Sequence, residues 1–429
     1  MYSRVRALGQ WLALGSVVGV VCGGASALFL FLLDEATHWR LQHESIVYLL
    51  PVAGLVIGAL YGKWGASIRA GNNLVIDTAH EGDARLPLRM APMVLIGTVL
   101  THLFGGSAGR EGTAVQMGAS LADAVAHRFR VSPSTRRELL AAGIAGGFGS
   151  VFGTPIAGTV FGLEVICVGR MSYEALVPAL VAAVVGDLVT RALGIHHSVY
   201  PAPEVLALSP GVIGKWLVFG VAMAVAAVVF VEGVHFIKKR LEKVLPALAL
   251  RMALGGVGVV GLWQLVGTSD YLGLGVPMIQ RAFVDPDLPP EAFALKLLFT
   301  VVTLGAGFLG GEVTPLFFVG AALGNVLGRL LGLPLELSAG VGLAALFGAA
   351  ANTPLALSLM AVELMGAGVL PHVVIVTVTA YLLTGQRGIY PAQRIARLKH
   401  GGPLLERLVP LRDLDVPQAP ADRTEEPKP

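Results

Sequence analysis

The feature that most limits this chain is a series of apolar runs too long for an ordinary water-soluble core. Trp11–Leu33, Ile46–Tyr61, Leu176–Leu193, Val212–Val231 and Val369–Leu383 are almost free of charged side chains. A helix needs about 20 such residues to cross a bilayer, and several of these runs reach that length. Backbone in lipid must satisfy its own hydrogen bonds, so runs of this kind form helices. Other runs are short or broken by Gly and Pro, which predicts tilted or interrupted helices shielded by protein. Charged residues make up 14% of the chain, against about 25% in soluble domains. The 55 glycines suit helices that approach closely in lipid.

The N-terminus imitates a secretion signal, with Arg4 and Arg6 before an apolar run and Ala25-Ser26-Ala27 as a cleavage-like site. The run continues through Leu28–Leu33, longer than a signal's apolar region, and reads as an uncleaved first membrane helix. Cys22 and Cys167 are the two cysteines; they make neither a disulfide framework nor a metal pattern. A net charge of +3 is too small to imply nucleic acid. Basic residues cluster at Arg128–Arg137, Lys238–Lys243 and Arg387–Arg407. With Arg4 and Arg6 they read as cytoplasmic flanks of a multi-pass inner-membrane protein, with both termini cytoplasmic.

The chain repeats itself. Gly143–Glu164 aligns with Gly342–Glu363 at a shift of 199, with eight of 22 positions identical, Thr154-Pro155 and Thr353-Pro354 among them. At a shift of 201, Gly106, Gly109, Glu111 and Thr113 meet Gly307, Gly310, Glu312 and Thr314. Four arginines follow the first block, in 128–137, whereas 329–338 holds only Arg329 and Glu336. That asymmetry predicts halves of opposite orientation, about 11–205 and 211–390, within a transport domain of 1–400. The tail 401–429, with six prolines and ten charged residues, is expected to be a disordered cytoplasmic extension. The expected fold is an all-α integral membrane protein, an inverted repeat of tilted and discontinuous helices.

Three glycine-led stretches could begin half-helices: Gly71-Asn72-Asn73, Gly109-Arg110-Glu111-Gly112 and Gly310-Gly311-Glu312-Val313-Thr314. A fourth element, Gly388-Ile389-Tyr390-Pro391, supplies a phenol. Helix N-termini present free N–H groups and a positive dipole end, so they take anions. A carboxylate within a membrane segment is costly and points to function. Glu111 is therefore the candidate that occupies an anion's place when charged and leaves when protonated. Taken singly, each residue has a plainer reading. Asn72 and Asn73 suit a turn or cap, Glu312 a dipole partner, Tyr390 an interfacial anchor, and Thr314 a bond back into its own helix. The basic cluster Lys238–Lys243 reads as a flank.

Over about 11–395 the chain resembles the CLC family of anion channels and anion/proton antiporters. Gly-Arg-Glu-Gly followed by Val-Gln-Met-Gly, Gly-Gly-x-x-x-Pro, the paired Pro-x-Ala blocks and the late tyrosine carry the resemblance. It implies a homodimer with one pore per subunit. It makes Glu111 the gating glutamate, Tyr390 a central-site ligand, and Glu164 and Glu363 structural partners. Chloride-handling members have Gly-Ser-Gly-Ile-Pro where this chain has Gly71-Asn72-Asn73-Leu74-Val75. Val313 stands at an expected Phe, flanked by Glu312 and Thr314, and Val165 replaces the inner proton-relay glutamate.

These departures resemble the fluoride-exporting branch, which implies fluoride/proton antiport. The gating and proton-transfer residues would be Glu111 and Glu312, and the anion-binding residues Gly71, Asn72, Val313, Thr314 and Tyr390. A chloride-selective channel or chloride/proton antiporter is the alternative. Fluoride is small and tightly hydrated, and an Asn amide offers it two N–H donors where Ser offers one hydroxyl. Glu312 beside Glu111 would let two carboxyls share a proton. No cofactor or metal is expected. An intramembrane hydrolase would need a nucleophile with a base, and Ser107 has only His102 nearby in sequence. A purely structural membrane protein sits badly with the repeated carboxylates.

Overall fold

Two successive sets of eight helices follow from the repeated sequence. The computed structural model describes residues 2–81, 85–401, 405 and 407–414, the side chains of 2–5 and 7 excepted. The first set is α1 (Tyr2–Gln42), α2 (Leu50–Trp64), α3 (Asn72–Glu81), α4 (Met90–Leu103), α5 (Glu111–Arg128), α6 (Pro133–Phe152), α7 (Pro155–Glu164) and α8 (Leu176–Ala192). The second is α9 (Pro210–Val244), α10 (Leu248–Val266), α11 (Val276–Val284), α12 (Ala292–Gly305), α13 (Val313–Leu331), α14 (Leu335–Ala350), α15 (Pro354–Met365) and α16 (Leu370–Leu383). Helix by helix the order of long and short members matches. The helical halves run 2–192 and 210–383, joined by an irregular linker.

Among the described residues, six helices are long and apolar enough to cross a membrane. The 41-residue α1 and 35-residue α9 exceed the ~20 residues a perpendicular span needs, as tilted helices do. Outward faces are apolar: Val218, Val221, Val225 and Val229 of α9 are each about half exposed. Such a stripe costs nothing against lipid tails, which are themselves hydrocarbon. The central helices are enclosed by protein: α13 is mostly buried, α10 mostly not.

Small residues set the central packing. A Cβ on Gly118 of α5 would strike the Gly143 carbonyl of α6, and a Cβ on Gly320 of α13 would strike the Gly342 carbonyl of α14. The same glycine crossing is thus built once in each half. Phe148 and its repeat mate Phe347 stack with ring centroids 6.5 Å apart, where the halves meet.

The short helices α7 and α15 lie antiparallel and cap one another. Glu164, at the end of α7, accepts the Leu355 and Ala356 N–H groups at 3.2 and 2.9 Å. Glu363, near the end of α15, accepts those of Ile156 and Ala157 at 2.9 and 2.7 Å. Each carboxylate fills donors that the other helix's first turn cannot satisfy internally. The structural role expected for both glutamates is what the contacts show.

After α16 the chain returns across the body. β1 (Cys167–Val168), β2 (Arg394–Ile395) and β3 (Val409–Pro410) form a small sheet, β1 parallel and β3 antiparallel to β2. The expectation of a disordered tail from 401 therefore needs correcting at 409–413. Val409–Pro410 pairs with β2, and Leu411 N–H donates to the Gln393 carbonyl at 2.8 Å. Residues 402–404, 406 and 415–429 lie outside the described residues.

Candidate functional site

Glycine brings the two halves' helix starts face to face. The loops before α5 and α13 pair through Gly109 and Gly311, whose N–H groups each donate to the other's carbonyl at 2.6 and 2.8 Å. A Cβ on Gly112 would lie 3.1 Å from the Gly311 Cα and 3.0 Å from Asn72 Nδ2. A larger residue there would push the loops apart. Gly310 turns at φ +150°, where its own Cβ would press on the Ala108 side chain.

Glu111 opens α5 and is 0% exposed. Its carboxylate accepts the Thr314 hydroxyl at 2.5 Å, the Thr314 N–H at 3.1 Å and the Arg110 N–H at 3.1 Å. The Arg110 guanidinium stands 3.5 Å away. Three donors and a cation around one carboxylate are also a cradle for a small anion. Across the joint, Glu312 precedes the first turn of α13 without capping it, and its Oε2 is buried with no hydrogen-bond partner among the described residues. Asn72 Oδ1 is likewise buried with no partner among the described residues, and its Nδ2 lies toward Gly112.

Two cavities flank this joint. The larger, about 400 Å³, borders Gly71, Asn72, Glu312 and Tyr390 at its inner end. Its mouth carries exposed Arg69, Lys238 and Lys239. The smaller, about 10 Å³, touches Glu111, Thr314, Arg110, Ser198 and Tyr200. The expected residues thus divide: Gly71, Asn72, Glu312 and Tyr390 face the wide cavity, Glu111 and Thr314 the small one. Val313 is 1% exposed and borders neither. The cluster read as a flank, Lys238 and Lys239, also lines the wide cavity, and cations there raise the local concentration of anions.

Several residues escaped the sequence reading. Ser198 and Tyr200 come from the linker between the halves, which has no periodicity to flag it. Thr98 and Thr113, hydroxyl to hydroxyl at 2.7 Å, border the wide cavity with Gln116. Tyr390 is held by its neighbours: Asn73 Oδ1 accepts the Ala392 N–H at 2.9 Å, and Gln393 Nε2 donates to the Val165 and Ala351 carbonyls. Val165, where a relay glutamate was expected and absent, is buried and contributes only its backbone here.

A family model described as "Voltage gated chloride channel" matches residues 53–385. A chloride/fluoride channel protein of Pseudomonas syringae pv. tomato is 46% identical, the match covering 94% of this chain and 90% of the relative. An H(+)/Cl(-) exchange transporter of Vibrio vulnificus is 28% identical over 82% of this chain and 81% of the relative. Among solved structures, a CLC-type fluoride/proton antiporter superposes with a TM-score of 0.88 at 37% identity, covering 92% of this chain and 99% of its own. A slow cyanobacterial Cl-/H+ antiporter shares the fold with a TM-score of 0.76 at 19% identity, covering 87% and 94%.

Proposed function

The chain belongs to the voltage-gated chloride channel (CLC) family, and on that premise we propose that it is a fluoride/proton antiporter with Glu111 as its gate. The observation that carries this reading is the Glu111 carboxylate, seated on Thr314 beside a small pocket and close to a wide cation-lined cavity. The chloride/fluoride relative and the fluoride/proton antiporter structure support the choice of ion. So do Asn72 and Glu312 in this chain, an amide donor and a second carboxyl beside the joint.

In this mechanism fluoride enters the wide cavity, drawn by Lys238, Lys239 and Arg69. It exchanges water for the Asn72 amide, the Tyr390 phenol and the backbone N–H groups of the paired helix starts. Protonation removes the charge that holds Glu111 on Thr314, and the side chain swings away. The anion then takes the three donors the carboxylate has left. Glu312, whose Oε2 lies 3.7 Å from where a Cβ on Gly112 would stand, receives the proton from Glu111. Return of Glu111 as a carboxylate expels the anion, so each direction of ion movement requires a proton on one carboxyl. The protein works as a homodimer in the inner membrane, with one pore per subunit and both termini cytoplasmic.

Vesicles loaded with potassium fluoride or potassium chloride and reconstituted with the protein test this, with proton uptake recorded alongside. Faster fluoride efflux accompanied by proton uptake is expected. Faster chloride efflux, or fluoride efflux with no matching proton flow, rejects the reading.

A further inference from the structure

Arg40, in the last turn of α1, is 4% exposed, yet its guanidinium makes no hydrogen bond or ion pair among the described residues. Lys296 of α12 is 0% exposed; its ammonium donates to the Tyr271 and Gly273 carbonyls at 3.1 and 2.7 Å and lies over the Phe318 ring. His102 of α4 is also 0% exposed. Its Nδ1 and Nε2 face the Thr98 and Ala108 carbonyls at 2.8 and 2.9 Å. A neutral ring donates to one of these carbonyls, and an imidazolium donates to both.

These groups converge on one glycine. A Cβ on Gly273 would lie 3.0 Å from Arg40 Nη2 and 3.9 Å from His102 Cδ2, while the Gly273 carbonyl takes the Lys296 ammonium. Among the described residues no carboxylate forms an ion pair with any of the three, though Glu44 acts on Arg40 through space. Glu44, the acidic group nearest Arg40 in sequence, is exposed and accepts from Ser269 Oγ at 3.3 Å. Taking the Arg40 guanidinium, which stays protonated, out of water without an ion-paired counter-charge is costly, and a bound anion relieves that cost.

We infer that Arg40, Lys296 and His102 form a second anion site, separate from the Glu111 joint, that takes a single halide against the Arg40 guanidinium. The 4% exposure of Arg40 favours a monatomic anion over a bulkier one. Because His102 Nε2 holds the Ala108 carbonyl, a bound halide braces the loop that leads into Glu111. The site does not depend on which halide the protein carries.

Bromide is the probe. In crystals of the full chain soaked in sodium bromide, an anomalous peak is expected within hydrogen-bond reach of the Arg40 guanidinium. Arg40→Gln should abolish that peak and leave any peak near Asn72 and Tyr390 in place. No peak at Arg40 in the unaltered protein overturns the inference, as does a peak of equal height in the variant. In detergent, sodium fluoride should raise the melting midpoint of the unaltered protein more than that of Arg40→Gln, since a ligand stabilises by its occupancy of the folded state. Equal shifts also overturn it. Lys296→Met offers the same comparison should Arg40→Gln not fold.

Discussion

The carboxylate of Glu111, from the first half, is held by both the hydroxyl and the backbone N–H of Thr314, the repeat mate of Thr113 in the second. A carboxylate of one half is thus held by a helix start of the other. The hydroxyl bond is to a charged acceptor, a class worth about 1.5–3 kcal/mol. Thr314→Val removes it while keeping volume, and should shift the balance between latched and released Glu111 by about tenfold or more. Fluoride turnover in vesicles should change accordingly with coupling retained. Glu111→Gln should abolish proton uptake altogether, because an amide carries no exchangeable acid proton. Proton uptake undiminished in Glu111→Gln would remove the gate from the mechanism.

Asn72 sits where its amide nitrogen reaches toward Gly112 and its oxygen has no partner among the described residues. Fluoride, which gives up the most hydration, gains most from two N–H donors. Asn72→Ser should lower the ratio of fluoride to chloride efflux by about tenfold, the weight of one hydrogen bond to an ion. The measurement is paired efflux from vesicles loaded with each anion. An unchanged ratio would place selectivity elsewhere along the cavity.

The repeat, the helix starts and the reciprocal glutamates were legible because each leaves a local mark. Glycine needed for close approach, Pro after Thr at a helix start, and a carboxylate in apolar sequence can be read one position at a time. The grouping of residues around Glu111 was legible only through family likeness, and only in part. Nothing local tells that Thr314 faces Glu111 while Glu312, two residues earlier, faces the wide cavity. A helix start turns successive side chains by about 100°, and the direction is fixed by tertiary pairing at Gly109 and Gly311. The linker residues Ser198 and Tyr200 carry no period at all. The strand at 409–410 was hidden by a Pro-rich, charged composition that usually marks disorder; its partner β2 supplies the order.

The crossed caps of Glu164 and Glu363 have a thermodynamic consequence. Each carboxylate serves two N–H groups of the other half, and losing a cap costs about 0.5–2 kcal/mol. Glu164→Ala and Glu363→Ala should each lower the melting midpoint in detergent. Since both act at one helix pair, the double variant should depart from additivity by about 0.5 kcal/mol or more. Strict additivity would mean that α7 and α15 do not respond as a unit.

The tail strands reach the site through Asp77 of α3, the helix that begins at Asn72. Asp77 takes Arg412 at 2.9 and 3.2 Å and Arg394 at 3.2 Å, and its bonds hold the Arg412 guanidinium above the usual range. Arg394 lies four residues beyond Tyr390, so one carboxylate ties the helix of Asn72 to the segment of the phenol. Asp77→Asn weakens both ties, while Arg394 keeps Glu81 at 2.8 Å. Arg412 is partly exposed, and such pairs are worth about 1 kcal/mol or less. The expected effect is a rise of no more than about fivefold in the fluoride concentration for half-maximal transport. Maximal rate and melting midpoint should change little, because neither donor's own contacts with the anion are removed. A half-saturation point that stays fixed while the midpoint falls would reduce the tail sheet to a brace, with no hand in positioning Asn72 against Tyr390.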